Sequence, residues 1–189
     1  YHFRRKNSMF RLTWRIKREN LKIIEGKGRS NQEDKSNKRR PNLSYALIGT
    51  VKAEFITMKQ IRRIQFNDED MKFLMNLKRI NHDNLATMIG VCYNEDDIFY
   101  MCHMLVERAS LMDLIEDIEF NMDNTFKSAF IRDIVRGLQY LHKTAVGYHG
   151  LLNCSNCLID GNWVLKLSQF GITSMLSHMT EEGILENVS

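Results

Sequence analysis

Three features of this 189-residue chain predict an α+β fold. Short apolar and β-branched runs cluster together instead of alternating with helices as a doubly wound sheet requires. One long stretch, residues 125–142, puts Phe126, Phe130, Ile131, Ile134, Val135, Leu138 and Leu141 on a single helical face. Beyond it, apolar runs at 157–160 and 163–167 flank Gly161-Asn162, the signal of a tight hairpin.

The elements follow in order. Residues 11–24 suit a strand or a short helix. Glu25 to Arg40 is polar and basic, with Gly26, Gly28, Ser30 and Ser36, and is closed by Pro41, the only proline. Such a stretch buries little and predicts a mobile insert. Residues 45–61 carry the pattern of two strands about Gly49-Thr50. Met71, Leu74, Met75 and Leu77 recur at helical spacing within 68–80. Strands are predicted at 86–92 and 98–104, joined by the polar turn Asn94-Glu95-Asp96-Asp97. A short helix is predicted over 111–118 with Ser110 as its cap.

Charge is uneven. Residues 1–40 hold fourteen Lys/Arg against four Asp/Glu, whereas the remainder holds thirteen against nineteen. A basic head on an acidic body predicts an anionic surface near the N-terminus. Tyr1-His2-Phe3 followed by Arg4-Arg5-Lys6 is the pattern expected just cytoplasmic of a membrane helix, or else a solvated basic arm. No run in the chain approaches the ~20 apolar residues of a bilayer span. The cysteines, Cys92, Cys102, Cys154 and Cys157, lack the spacing of a disulfide framework. A single C-x-x-C near His149 is a weak zinc signal, and no metal site is expected.

Four motifs in sequence resemble a protein kinase domain. Ile56-Thr57-Met58-Lys59 is similar to the third-strand V-A-I-K, and alternation puts Thr57 and Lys59 on one face. His82-Asp83-Asn84-Leu85 resembles the loop after the first kinase helix. His149 to Asn156 follows the frame H-R-D-L-x-x-x-N, and Gln169-Phe170-Gly171 stands in the place of D-F-G. The resemblance implies a bilobal fold. The N-lobe is assigned to 13–107 with a disordered insert at 25–42, and a C-lobe cut short in the activation segment to 108–189. Residues 1–12 form a basic juxtamembrane segment.

The departures carry the functional reading. In active kinases the loop aspartate accepts the proton of the attacking hydroxyl, the D-F-G aspartate holds magnesium, and a helix glutamate pairs with the strand lysine. Here Leu151 replaces the first, Gln169 the second, and Phe73 falls at the third. Gly26-Lys27-Gly28 lies too far before Lys59 to read as a phosphate clamp. Losing the base alone costs about 10²–10⁴ in rate, so no catalytic residue is assigned. Lys59 and Asn156 remain as nucleotide-binding candidates. Each has a plainer role open to it: a solvent-facing lysine and a loop-stabilising amide. His149 reads as a packed structural histidine.

The run His149-Gly150-Leu151-Leu152-Asn153-Cys154-Ser155-Asn156-Cys157 is similar to the kinase-homology domain of receptor guanylate cyclases, of nematode sensory and natriuretic-peptide types. Asn153 and Cys154 depart from the lysine and serine common there. Gly161 to Lys166, Asp133 to His142 and Leu85 to Cys92 fit the same family. The resemblance implies a regulatory pseudokinase on the cytoplasmic side of the plasma membrane, partnered by a downstream cyclase domain and a second receptor chain. ATP is implied as an allosteric ligand, with magnesium poorly supported. It also implies Ser30 and Ser36 as phosphorylation candidates, against a reading as ordinary loop serines. Two other readings stand beside it: a divergent active kinase using Asp160, and a truncated scaffold that binds partners. Phe126, Phe130 and Ile134 are expected to lack packing partners, and the isolated piece to be poorly soluble.

Overall fold

The computed structural model describes residues 14–26 and 43–188. The juxtamembrane segment, nearly all of the basic insert, Ser30 and Ser36 lie outside the described residues. Within them, a six-stranded antiparallel sheet is built from β1 (Leu21–Ile24), β2 (Tyr45–Ile48), β3 (Val51–Gln60), β4 (Met88–Cys92), β5 (Ile98–Met104) and a late strand, Leu185–Asn187. The order is β1-β2-β3-β5-β4. Strand β3 anchors the sheet. Its pairing with β5 runs from Ala53↔Met104 to Lys59↔Ile98. On its other edge it pairs first with β2 and then, at Met58–Gln60, with the late strand.

Helix α1 (Asp68–Arg79) crosses one face of this sheet. Asn67 caps it by accepting from the Asp70 amide, and Asp70 returns the bond to the Asn67 amide, so two otherwise orphaned donors are satisfied. Met71, Leu74 and Leu77 are buried against Met58, Phe99 and Met101. Chain entry is fixed at the sheet margin. Trp14 is buried between Phe66 and Tyr93, and the Ile16 amide donates to the Val91 carbonyl at 2.8 Å. A Cβ on Gly90 would lie 2.2 Å from the Trp14 carbonyl oxygen, so only glycine admits this approach.

The second lobe begins at β6 (Ala109–Ser110) and α2 (Leu111–Glu116), whose cap is Ser110 as the sequence predicts. Helix α3 (Asn124–His142) packs on a small sheet of β6, β7 (Cys157–Ile159) and β8 (Leu165–Leu167). Gly137 lets α3 approach the backbone, since a Cβ there would stand 2.9 Å from the Asn84 carbonyl oxygen. Asn84 joins the lobes: its amide donates to the Leu165 carbonyl, and its own carbonyl accepts from the Leu167 amide. Beyond β8 come α4 (Thr173–Glu181) and β9 (Leu185–Asn187), the late strand of the first sheet.

Three expectations are corrected. The β7–β8 connection is not a two-residue hairpin. Five residues separate Ile159 from its partner Leu165, and positive φ falls on Trp163 rather than on Gly161 or Asn162. Asp160 Oδ1 accepts from the Asn162 and Val164 amides, while Trp163 stacks on Phe120 and under the Arg108 guanidinium. The turn is nevertheless closed locally about Gly161-Asn162, the Trp163 amide donating to the Asp160 carbonyl and the Asp160 amide to the Val164 carbonyl, and the stacking adds to it. Phe130 is buried and Phe126 packs on Phe120 and Trp163, so these aromatics do have partners. The apolar residues exposed on α3 are Ile131 and Val135. Finally, α4 and β9 are ordered elements where the sequence reading placed only an activation segment.

Candidate functional site

The loop from His149 to Asn156 is held by its own polar groups. Gly150 has φ +84°, and a Cβ there would meet Thr173 Oγ1 at 2.7 Å. The site of the kinase arginine therefore admits no side chain without strain. The Asn153 side chain accepts from the Asn156 amide, capping the short 3₁₀ turn Cys154–Asn156. Asn156 donates through Nδ2 to the Leu151 carbonyl at 2.7 Å, and its carbonyl receives the Ser168 amide and hydroxyl. One of its side-chain N–H groups thus stabilises the loop.

The Gln169-Phe170-Gly171 motif docks on the same loop. The Gly171 amide donates to the His149 carbonyl at 2.7 Å, and the His149 ring meets Phe170 edge-on. Gly171 has φ +73°, and a Cβ would clash with Val146 at 2.4 Å. His149 is buried. Desolvation pushes its pKa down to about 4, against smaller opposing contributions from the His149 and Ser168 backbone. Its Nδ1 accepts from the Leu151 amide, which places the proton of the neutral ring on Nε2. This histidine is a core element at neutral pH, not a proton carrier.

Leu151 is half exposed at the position of the kinase base and has no proton acceptor. Gln169, held at φ +59°, lines a cavity with Ile56, Met88, Met101, His103 and Phe170. That cavity is about 30 Å³, room for a water but not for a purine. Phe73 on α1 lies beside Gly171, 3.4 Å from the position of a Cβ there, so an aromatic ring faces the motif where a glutamate would pair with lysine.

Lys59 is elsewhere. Ile56 lines the cavity and Met58 enters the core beneath α1, so alternation turns Lys59 to the opposite face. Its side chain is 60% exposed, and Nζ lies 3.6 Å from Glu186 Oε2 on β9. The structure thus gathers Phe73, His149, Leu151, Asn153, Asn156, Gln169, Phe170 and Gly171 around one loop and leaves Lys59 outside. Sequence reasoning missed the partner Glu186, a lone acid after an unremarkable glycine. It also missed the buried pair Glu54 and His103, 3.8 Å apart across β3 and β5. Alternation along β3 puts Glu54 on the face of Ile56, a signal that was legible.

Asp160 is engaged in the β7–β8 turn, its Oδ1 accepting from the Asn162 and Val164 amides. Burial pushes the Cys157 thiol up to about 11. Among the described residues no group of three His, Cys, Asp or Glu side chains could hold a metal, and no helix is long and apolar enough to cross a membrane.

An order β1-β2-β3-β5-β4 with α1 after β3, joined to a lobe whose loop receives an x-Phe-Gly motif, defines a kinase-type domain. Residues 49–187 match the family described as protein tyrosine and serine/threonine kinase, and the chain belongs to that family. It is similar to Receptor-type guanylate cyclase gcy-10 of Caenorhabditis elegans, 46% identical over 92% of this chain and 18% of that protein. Receptor-type guanylate cyclase gcy-27 of the same organism is 45% identical over 88% of this chain and 25% of its own length. Atrial natriuretic peptide receptor 2 of Anguilla japonica is 30% identical over 73% of this chain and 13% of its own length. The chain thus spans a quarter or less of the length of each of these relatives.

Proposed function

We propose that this chain is a catalytically inactive, kinase-like regulatory domain of a receptor guanylate cyclase. It sits on the cytoplasmic side of the plasma membrane and couples ligand binding outside the cell to cGMP synthesis by a cyclase domain of the same receptor. A second receptor chain is its dimer partner. The observation that carries the reading is the pairing of an intact loop with absent acids. His149, Asn153 and Asn156 keep the loop ordered, while Leu151 and Gln169 supply neither a base nor a charge for magnesium. Phosphoryl transfer rests on a positioned base and on metal charge compensation, and the residues at the two motif positions, Leu151 and Gln169, offer neither. A regulatory domain needs only the fold.

ATP as an allosteric ligand belongs to a second state of the domain. In the state described, Lys59 is on the outer face beside Glu186 and the interlobe cavity is water-sized. Nucleotide entry requires the cavity to widen, and Lys59 turns inward only if β3 slips against β5, because the Lys59↔Ile98 register fixes its face. The relatives named as guanylate cyclases support the receptor assignment.

The test is a pair of measurements on the full-length receptor in membranes. Ligand-stimulated cGMP output is expected to change when β9 is loosened by Leu185→Ala, while radiolabelled phosphate transfer stays at background. Lys59-dependent phosphorylation of any substrate would overturn the inactive assignment. cGMP output indifferent to β9 would overturn the coupling.

A further inference from the structure

A groove of about 480 Å³ opens between the first half of α1 and α4, on the side of α1 remote from the sheet strands that line the interlobe cavity. Its size is that of a ligand site, an order of magnitude above the water-sized cleft. Phe73, Met175, Met179 and Ile184 give it an apolar floor, and Glu69, Asp70 and Glu182 an acidic rim. His178 joins the rim, its Nε2 3.6 Å from Glu182 Oε1. Asp70 Oδ2 accepts from the Asn67 amide at the same end of α1.

We propose that this groove receives the chain's own basic segment, residues 1–13. The segment carries Arg4, Arg5, Lys6 and Arg11 with no acidic residue, with Met9 and Phe10 between Lys6 and Arg11 and Leu12 just after. Cations for the rim and apolar groups for the floor are thus interleaved in one short stretch. The tether favours it as well. The segment ends at Trp14, whose ring packs on Phe66 at 5.6 Å, and Phe66 lies between the groove residues Gln65 and Asn67. Thirteen residues reach at most about 45 Å when extended, ample for a groove that begins beside the anchor. Attachment in the same chain makes the encounter intramolecular and raises its effective concentration toward the millimolar range. Docking couples the basic segment to α1, which carries Phe73 to the Gly171 turn. The inference needs no cyclase activity and stands apart from the receptor assignment.

The test uses the full 189-residue chain. A zero-length carbodiimide cross-link is expected from Lys6 to Glu69 or Glu182, located by mass spectrometry, and mixed isotopically labelled material should show it within single chains. Tryptic cleavage at Arg4, Arg5, Lys6 and Arg11 is expected to run about threefold or more slower at low salt than in Glu69→Gln/Glu182→Gln, with the difference lost near 1 M salt. Asp70 is left intact because it caps α1. Cross-links only between chains would assign the groove to a second copy and overturn the proposal. So would the absence of any link to these glutamates, or cleavage indifferent to both salt and substitution.

Discussion

Glu186 and Lys59 face each other across the β3–β9 ladder, Oε2 to Nζ 3.6 Å apart, and this pair takes up the lysine that the kinase motif would assign to nucleotide phosphates. The pair is exposed on both sides, so its Coulombic contribution is screened and small, about 0–1 kcal/mol. What holds β9 lies around it. Leu185 is fully buried, the Gln60–Leu185 register is closed by backbone bonds, and the Ile61 amide donates to the Ile184 carbonyl. The Arg62 guanidinium reaches the Glu182 and Gly183 carbonyls.

Stability should therefore divide sharply between neighbours. Leu185→Ala is expected to cost about 2–4 kcal/mol, and Glu186→Ala less than about 1 kcal/mol. Urea denaturation measures both, and hydrogen exchange at Met58 to Gln60 should quicken only in the leucine variant. Equal costs would show that the ion pair, not the buried leucine, secures β9.

Nucleotide should not stabilise the domain while the interlobe cavity is water-sized. Thermal melts with millimolar MgATP are expected to superimpose on melts without it. Leu185→Ala is expected to leave this unchanged, because the Lys59↔Ile98 register with β5, not β9, keeps Lys59 on the outer face. A Lys59-dependent shift in the unsubstituted chain would show that the cleft admits nucleotide as it stands.

Acid should act through His149. Its pKa is about 4 in the folded chain and near 6.5 when unfolded, so the unfolded state binds the extra proton between these values. The contribution to stability is whole above pH 6.5, falls as pH drops from 6.5 toward 4, and is flat below. Its full size is on the order of 3 kcal/mol. Denaturation midpoints against pH for wild type and His149→Phe check this, the variant losing that part of the slope.

Restoring acids should not restore chemistry. Leu151→Asp combined with Gln169→Asp is expected to leave radiolabelled phosphotransfer at background with magnesium present. Phe73 still occupies the glutamate position and Lys59 still faces away from the cavity. Incorporation above background would mean that two carboxylates are all the site lacks.

Much of the fold was legible in the sequence, because buried faces leave periodic marks. The α3 pattern, the Ser110 cap and the runs of β4 and β5 appear where spacing put them. The loop and the Gln169-Phe170-Gly171 motif were legible from their fixed order. Lys59 was half legible: alternation paired it correctly with Thr57, but which face meets the cleft depends on where α1 packs, and Ile56 and Met58 won that face. The strand β9 was not legible at all. Three residues, Leu185-Glu186-Asn187, carry no period, and they become a strand only because β3 offers an edge beyond the end of β2. The β7–β8 turn was legible at Gly161-Asn162, but the left-handed residue that completes it, Trp163, was not, since nothing local marks a tryptophan for positive φ.

Gly150 has one more implication. Many kinases are switched by a phosphate on the segment after D-F-G, which an arginine in the catalytic loop clasps to order that segment. Here the backbone turns left-handed at that residue, and Thr173 fills the volume where a side chain would start. Phosphorylation of this segment would find no clasp at that place, and one codon change could not supply it without first displacing the start of α4. Control by push and pull on the chain is the mode such a loop leaves open.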